Sequence, residues 1–351
     1  MTRLRSLLLL AVFTAAACGG PDVDALLPTF RAELQRLAAQ AERADQIAVT
    51  GEDGWVFFGP ELRHASVGRF LNTDATDVSG GLRSAEAYPL TAIQGFKRQL
   101  DDLGIELLLV PVPPKATIYP EKISAALSIP IPVPRLDPAH QQFYDRLRAG
   151  GIDVLDLTDL FIRDRFHPEG PLYCRTDTHW SGTGCTVAAT AIAEAVTSRP
   201  WYEALDTVPL GAAWYTTTIT GDLTRAGGSP AGREELRLRG IVTQGQRPAP
   251  VGTDEHSPIV LLGDSHNIVF NAGDDMHATG AGLPDQLAFE LGLALDVVAV
   301  RDSGATPARA NLARRAHADP GYLTGKRLVI WCFAARDFTE RDGWPLVSIA
   351  Q

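Results

Sequence analysis

One serine of the sequence lies where a parallel sheet would present a nucleophile. Gly263-Asp264-Ser265 directly follows the apolar run 260–262, which reads as the end of a buried strand. Reactive groups in open parallel sheets collect at the carboxyl ends of the strands, near the free backbone N–H groups of the next turn. Such donors could stabilise the oxyanion of an acyl-transfer intermediate, so Ser265 is a candidate nucleophile. The structural alternative is a serine that caps a helix.

An aspartate and a histidine two residues apart form the second reactive pattern. Asp177 and His179 lie in the segment 173–182. In an extended segment residues i and i+2 point the same way, so the carboxylate can hold one imidazole nitrogen and leave the other as a base. We therefore predict a Ser-His-Asp triad that transfers an acyl group; the alternative is a polar loop in which Asp177 bonds its own backbone. His266 is a rival base because it adjoins Ser265, but adjacent side chains diverge and we expect a supporting role at most.

Alternating strand and helix patterns predict the elements that would position these residues. Continuous apolar runs at 105–112 and 152–157 are typical of parallel strands buried on both faces, and a helical pattern at 136–149 connects them. We expect further strands at 259–262, 297–300 and 328–333, and further helices at 24–47, 85–103, 183–197, 284–292 and 306–317. The predicted fold class is therefore α/β, with a parallel sheet flanked by helices. Residues 201–255 are rich in Pro, Gly and Thr and are predicted to be an irregular insertion with short hairpins.

The N-terminal residues have the order of a secretory signal. Arg3 and Arg5 precede an apolar run that is too short to span a membrane, and Cys18 follows three alanines. We predict a signal peptide over 1–17, a lipid on Cys18, a tether and helix over 18–50, and one domain over 51–351. The protein would then be exported and periplasmic, and would contact the membrane only through the lipid. Simple cleavage before the cysteine and an uncleaved anchor are the alternatives.

The charge balance limits the possible partners. Over 351 residues the formal net charge is −10, so the chain has no electrostatic reason to bind nucleic acid. An acidic polymer would need a local basic groove.

The cysteines bear on the loop that carries the aspartate and the histidine. Cys174 and Cys185 lie on either side of this motif, and a disulfide between them would fix the loop in an exported protein. Free buried thiols are the alternative, which suits Cys332 in its apolar strand better.

Several blocks of the sequence resemble the SGNH hydrolase superfamily in a rotated order. Gly263-Asp264-Ser265 is similar to its first block, the stretch 297–304 to its second strand and glycine, and 328–337 lies where the third belongs. The Asp-x-His block comes earlier in the chain, as in a circular permutation. This order resembles the alginate O-acetyltransferase family of the AlgJ/AlgX type, as do the segments 51–57, 110–121 and 176–180. The resemblance implies a circularly permuted SGNH hydrolase-like domain with an insertion.

The resemblance also implies roles for single residues. Ser265 would be the nucleophile, His179 the base and Asp177 the group that orients it. The backbone N–H groups of Ser265 and Gly304 would form the oxyanion hole.

Three further residues are candidates for contacts with substrate. Arg336 stands near the position where the superfamily has an asparagine donor. It could donate to the oxyanion, bind a substrate, or pair with Asp337. Lys115 and Tyr119 follow a strand end in a proline-rich loop and could contact substrate, or could pack beneath that loop.

The activity implied by the resemblance is acetyl transfer. We expect an O-acetyltransferase that works through an acetyl-serine and acetylates hydroxyls of an exported polysaccharide, without a cofactor or a metal. A membrane-bound O-acyltransferase would supply the acetyl group.

Three other functions remain open from the sequence. Water as the acceptor would make the protein a carbohydrate or acetyl esterase, and a decayed site would leave a non-catalytic polysaccharide-binding protein. A metal phosphoesterase would use as ligands Asp177, His179, Asp264, His266, Asp274, Asp275 and His277.

Overall fold

The computed structural model describes residues 23–67, 88–226, 232–242, 249–301, 303–340 and 343–349. The predicted signal peptide and Cys18 lie outside these residues. Within the described ranges, none of the helices combines the length and the apolar character that a membrane crossing requires.

Short strands and longer helices alternate along most of the chain. The strands are β1 Ala48–Thr50, β2 Val56–Phe58, β3 Glu106–Val112, β4 Asp153–Val154, β5 Phe166–His167, β6 Gly170–Pro171, β7 Gly211–Ile219, β8 Glu234–Val242, β9 Ile259–Gly263, β10 Asp296–Ala299 and β11 Leu328–Ala334. The helices are α1 Val23–Arg43, α2 Gly59–Ala65, α3 Pro89–Asp102, α4 Lys115–Ile118, α5 Pro138–Ala149, α6 Thr158–Asp164, α7 Gly182–Thr197, α8 Asp222–Arg225, α9 Leu283–Leu291 and α10 Thr306–Ala318.

A five-stranded parallel sheet in the order β10-β9-β11-β3-β4 forms the centre of the fold. Its central strands β9 and β11 are apolar throughout because both of their faces are covered. Alternate side chains enter two separate hydrophobic layers: Leu261 and Ile330 face one layer, whereas Val260 and Trp331 face the other. Helices α1, α7 and α9 contribute to the first layer and α3, α5 and α10 to the second. The predicted α/β class is therefore confirmed.

The strand order explains the rotated order of the sequence blocks. The three strands that come last in the chain, β9, β10 and β11, lie side by side at one end of the sheet. The earlier strands β3 and β4 complete the sheet beyond β11. Their carboxyl ends share one edge, so segments that are distant in the sequence meet there.

The region predicted to be an irregular insertion with short hairpins is more regular than predicted, and one predicted strand is shorter. Within 201–255, β7 and β8 form a regular antiparallel hairpin with nine residue pairs, from Gly211–Val242 to Ile219–Glu234. Leu236 and Leu238 point inward from β8 and alternate with exposed residues, and this packing against the core supports the ribbon. The predicted strand over 152–157 is only two residues long, because Asp156 turns back to accept a hydrogen bond from the Thr158 N–H at the start of α6.

Candidate active site

Ser265 begins a 3-10 turn at the carboxyl end of β9. Asp264 holds this turn in place: its Oδ1 accepts a hydrogen bond from the His266 N–H at 2.9 Å, and its Oδ2 accepts one from the Ala334 N–H at 2.7 Å. Because Ala334 ends the neighbouring strand β11, the nucleophile turn is tied to two strands of the sheet. A side chain at Gly263 would lie 1.7 Å from a carbonyl oxygen of β11, so this close approach requires glycine.

The structure brings the three residues of the predicted triad together. His179 Nε2 lies 2.7 Å from Ser265 Oγ, and His179 Nδ1 lies 2.6 Å from Asp177 Oδ1. All three side chains are buried, with Ser265 lining a cleft. The imidazole can therefore accept the serine proton at Nε2 while its Nδ1–H donates to the carboxylate.

Asp177 accepts hydrogen bonds at both carboxylate oxygens. Oδ1 also accepts from the His179 N–H at 3.1 Å, and Oδ2 accepts from the Asp222 N–H and from His277 Nε2, each at 2.8 Å. Burial alone would raise the pKa of Asp177, but the charges of His179 and His277 and their hydrogen bonds hold the pKa well below its usual value. The Asp177 carboxylate of the folded protein is therefore ionised near neutral pH.

The same pairing makes His179 a stronger base than a free histidine. Burial alone would lower the pKa of His179, but the Asp177 charge and hydrogen bond, aided by Asp222, raise the pKa above its usual value. His266 has a different partner, since its Nδ1 lies 3.1 Å from Asp264 Oδ1. Its pKa is lowered, chiefly by burial.

Two backbone N–H groups next to the nucleophile are available to an oxyanion. A Cβ on Gly304 would lie 2.8 Å from the Asp264 nitrogen, so the Gly304 backbone runs directly beside the nucleophile turn. Within the described part of the chain, the N–H groups of Ser265 and Gly304 have no protein acceptor. Both N–H groups lie at the edge of the sheet where Ser265 lies, and their role in an oxyanion hole stays a prediction.

A cleft of about 240 Å³ opens over Ser265. Its polar wall includes Arg336 and Arg301, and its apolar wall includes Phe58 and Met276. The full lining is Ile47, Phe58, Thr178, His179, Asp222, Leu223, Ser265, Met276, Arg301 and Arg336. A larger cavity of about 600 Å³ lies near Gly104 and Lys326, which precede β3 and β11 and so mark the opposite edge of the sheet.

Arg336 lines this cleft and pairs with the buried carboxylate of Glu61. Its guanidinium lies 5.5 Å from the Phe58 ring centre and 3.7 Å from Glu61 Oε2, and its buried Nη1 donates to no described acceptor. Asp337 instead accepts a hydrogen bond from Ser303 Oγ at 2.7 Å. Of the three roles considered for Arg336, pairing with Asp337 is replaced by pairing with Glu61, and contact with substrate or oxyanion stays a prediction.

Lys115 and Tyr119 do not line the cleft, so the structure favours the packing alternative for both. Lys115 Nζ donates to the carbonyl oxygens of Val56, Cys174 and Asp177 at 2.7, 3.0 and 2.7 Å. Lys115 thereby fixes the backbone of the aspartate itself. Tyr119 is buried, and its hydroxyl donates to the Arg165 carbonyl at 2.6 Å.

The predicted disulfide between Cys174 and Cys185 is absent from the structure, where both are free buried thiols, as is Cys332. Cys174 Sγ instead lies 3.5 Å from the Trp180 carbonyl oxygen. Backbone hydrogen bonds close the loop without a covalent bond, from the Cys174 N–H to the His179 oxygen at 3.2 Å and from the Ser181 N–H to residue 172 at 2.8 Å.

Two acids of the insertion hold the loop from the other side, and the sequence analysis missed both. Glu234 accepts hydrogen bonds from the N–H groups of Arg175 and Thr176 at 2.8 and 3.0 Å, and from Thr176 Oγ1 at 3.0 Å. Asp222 accepts from the Thr178 N–H and hydroxyl at 2.8 and 2.6 Å. The signal that could have revealed Glu234 is an acid at an inward position of the alternating strand β8.

The ligand set of a metal phosphoesterase does not assemble at this site. Asp177, His179 and Asp222 have ligand atoms within 4.8 Å of one another. Asp264 and His266 bond to each other instead of joining this group. The other ring nitrogen of His179, Nε2, is within hydrogen-bond distance of Ser265 Oγ, which is the contact that nucleophilic catalysis requires.

Comparison with known proteins points to one family. A family model described as the SGNH hydrolase-like domain of acetyltransferase AlgX matches residues 48–335. A Pseudomonas aeruginosa protein named "Probable alginate O-acetylase AlgJ" is 32% identical over 141 residues, which are 40% of this chain and 31% of that protein. A Pseudomonas putida protein of the same name is 25% identical over 229 residues, which are 62% of this chain and 54% of that protein.

A solved structure has the same fold. The O-acetyltransferase domain of Pseudomonas putida AlgJ superposes with a TM-score of 0.60 at 22% identity, covering 84% of this chain and 93% of that domain. The chain matches about half or less of the length of the two full-length relatives.

Proposed function

The chain belongs to the family of SGNH hydrolase-like domains of the acetyltransferase AlgX type, and on this premise we propose that it transfers acetyl groups to hydroxyls of an exported polysaccharide. The observation that carries the proposal is the hydrogen-bonded line from Asp177 through His179 to Ser265, which ends in an open cleft. Acyl-transfer enzymes on unrelated folds activate a serine with this arrangement.

Acetylation of the enzyme is the first half of the reaction. Ser265 Oγ attacks the carbonyl carbon of an acetyl ester while His179 Nε2 takes the hydroxyl proton, and Asp177 stabilises the imidazolium that forms. The N–H groups of Ser265 and Gly304 stabilise the tetrahedral oxyanion. When the ester C–O bond breaks, His179 returns the proton to the leaving oxygen and acetyl-serine remains.

Transfer to the acceptor reverses these proton movements. A sugar hydroxyl gives its proton to His179 as its oxygen attacks the acetyl carbon. Ser265 Oγ regains the proton when its bond to the acetyl group breaks. Water at the acceptor position would yield acetate, so the occupancy of the cleft by a sugar decides between transferase and esterase.

Two arginines of the cleft support an acidic acceptor. The whole chain carries a formal charge of −10, but Arg301 and Arg336 both line the cleft beside Ser265, where Arg301 pairs with Asp275 and Arg336 with Glu61. Guanidinium groups bind carboxylates through charge-assisted hydrogen bonds. Since both relatives are named probable alginate O-acetylases, we propose a carboxylated, alginate-like polysaccharide as the acceptor.

The location and the acetyl donor follow from the same proposal. The predicted signal peptide would export the chain to the periplasm, and a lipid on Cys18 would keep it at the membrane. A membrane-bound O-acyltransferase would supply the acetyl group, because the exported protein is separated from cytoplasmic acetyl donors.

A chromogenic acetyl ester assay with the purified protein tests the proposal. We expect the wild type to release the chromophore and to gain the mass of one acetyl group, and Ser265→Ala to do neither. Ser198→Ala, at an exposed position, serves as the matched control. Addition of acidic oligosaccharides should move the acetyl group onto sugar.

Other outcomes would select the alternatives. Acetate as the sole product, with oligosaccharide present, would make the protein an esterase. Glycan binding without any ester turnover would make it a binding protein. Undiminished labelling of the Ser265 variant would overturn the triad.

A further inference from the structure

A second histidine contacts the carboxylate of the proposed triad. His179 Nδ1 lies 2.6 Å from Asp177 Oδ1, and His277 Nε2 lies 2.8 Å from the other oxygen, Oδ2. The side chains of Asp177 and His277 are both buried, at 1% and 5% exposure. Asp177 is thus held between two imidazole rings, of which only one reaches the nucleophile.

A strained turn places His277 at this position. The backbone of His277 has φ 72° and ψ −44°, in the left-handed half of conformational space that a side chain disfavours, and Asp274 has φ 48°. The turn is closed by hydrogen bonds from the Met276 N–H to Gly273 at 2.7 Å and from the Phe270 N–H to Met276 at 2.8 Å. Strain of this kind persists where the surrounding structure enforces it, and it is concentrated at functional sites.

The neighbours of His277 in the turn also face the site. Met276 lines the cleft, and Asp275 pairs with Arg301 at 3.0 Å on the cleft wall. Three consecutive residues of one turn therefore contact the cleft, its arginine and the carboxylate. This arrangement ties the position of His277 to the site, while Met276 and Phe270 also anchor the turn in the hydrophobic core.

We propose that His277 is a positioning residue for the base: by donating Nε2–H to Asp177 Oδ2 it fixes the carboxylate so that Oδ1 faces His179. The inference rests on the catalytic roles proposed above for Asp177 and His179. With His277 present, the Oδ2 charge is shared by two donors, the imidazole and the Asp222 N–H. Without His277, Asp177 keeps its hydrogen bonds to His179 and to the Asp222 N–H, but its position is fixed by one contact fewer and its charge is less offset.

The direction of the resulting pH effect can be derived from the groups around His179. The carboxylates of Asp177 and Asp222 favour its charged form, whereas Arg336 disfavours it, and the His266 ring centre lies 4.9 Å away. Loss of the His277 donor makes Asp177 a stronger partner for the imidazolium. The pKa of His179 then rises, and the acid limb of kcat/KM moves to higher pH.

Two substitutions at His277 separate positioning from a merely structural role. Histidine to leucine, His277→Leu, removes the donor, and we expect kcat/KM for the acetyl ester to fall about tenfold to a hundredfold, as when a hydrogen bond to a charged group is lost. The acid limb should move to higher pH. His277→Gln keeps an N–H donor at similar reach and should restore most of the rate and the original acid limb.

Controls make each outcome decisive. His317→Leu, at an exposed position on α10, should match the wild type. Thermal melts show whether His277→Leu is folded. If both His277 variants lose rate equally and neither moves the acid limb, the positioning role is overturned. If the proposed acetyl transfer itself is wrong, the result differs from this one, because Ser265→Ala would then keep the wild-type ester turnover.

Discussion

Asp177 accepts hydrogen bonds from several different parts of the site. Its two side-chain oxygens accept from His179, His277 and a backbone N–H of the insertion, and its own carbonyl oxygen accepts from Lys115. A buried carboxylate without any of these partners would take up a proton and would no longer bind the imidazolium. The surrounding donors keep Asp177 charged, and this charge in turn makes His179 basic.

The raised pKa of His179 predicts the acid limb of the pH profile. His179 must be neutral to accept the Ser265 proton, so activity is lost as the pH falls through the pKa of His179. Because that pKa lies above the usual histidine value, we expect the acid limb of kcat/KM above pH of about 6.5. Since the Asp222 charge contributes to the increase, Asp222→Asn should move the limb to lower pH. The exposed Asp206→Asn is the control, and an unmoved limb in Asp222→Asn would contradict the assignment.

Arg336 should act on the acceptor more than on the acetyl group. Arg336→Gln removes a positive charge beside the nucleophile, and we expect KM for an acidic oligosaccharide to rise about tenfold, because a charge-assisted hydrogen bond is lost. Turnover of a small neutral acetyl ester should change little. The exposed Arg314→Gln should leave both values unchanged. An equal fall in ester turnover would instead make Arg336 an oxyanion donor.

At the scale of elements, the hairpin β7-β8 supports the loop that carries the base. Glu234 accepts three hydrogen bonds from residues 175 and 176, and Asp222, three residues after β7, accepts two from residue 178. Lys115 of α4 fixes the same loop from the other side. The insertion is therefore a structural part of the site.

Glu234→Gln tests this support. The variant loses the charge and one acceptor oxygen, so one buried donor of the loop is left unpaired. We expect the free energy of unfolding to fall by about 1–3 kcal/mol and ester turnover to fall with it. The neighbouring Glu235 is exposed on the same strand, so Glu235→Gln should be close to wild type in urea unfolding and in turnover. If Glu234→Gln and Glu235→Gln are equally stable, Glu234 does not stabilise the loop that carries His179.

The sequence predicted the elements that have local signals and missed those that depend on distant contacts. Apolar runs of strand length predict β3, β9 and β11 within a residue or two, because both faces of these strands are buried. Strand β7 carries the pattern Gly-Ala-Ala-Trp-Tyr-Thr-Thr-Thr-Ile, which alternates only in part, so the sequence predicted short hairpins in this region but not the long, regular pairing of β7 with β8.

The same limit applies to the residues of the site. Ser265, His179 and Asp177 lie in short motifs, whereas Glu234 and Asp222 gain their roles only after the chain has folded back. His277 was considered only as a metal ligand, because the turn that directs it to Asp177 has no sequence signature.

At the scale of the whole molecule, the rotated strand order explains why both halves of the chain contribute residues to the same site. The base segment and the nucleophile are 86 residues apart, yet their side chains are in hydrogen-bond contact. A circular permutation moves the ends of the chain, but it leaves the carboxyl-terminal edge of the parallel sheet unchanged. The order of elements in the sheet, and not their order in the sequence, determines the site.

The free cysteines predict that the fold does not depend on oxidation. Cys174, Cys185 and Cys332 are fully buried, and burial raises the pKa of each thiol well above its usual value. With Cys18 replaced by serine, we expect a thiol reagent to label none of them in the native protein and all three in denaturant without reductant. If two of the three cysteines stay unlabelled in denaturant without reductant, the protein contains the Cys174–Cys185 disulfide after all. The melting temperature should be the same with and without reductant.

The loop that carries His179 is held by the two-stranded antiparallel ribbon β7-β8, and the stability of this ribbon determines how activity is lost. A ribbon of this size is barely stable alone, and it can open with a smaller free energy than the parallel sheet. Opening of β7-β8 would release Glu234 and Asp222 from the loop while the core stays intact. Amide hydrogen exchange in the ribbon would then report the fraction of molecules that are folded but have no aligned base, and warming would inactivate the protein before it unfolds.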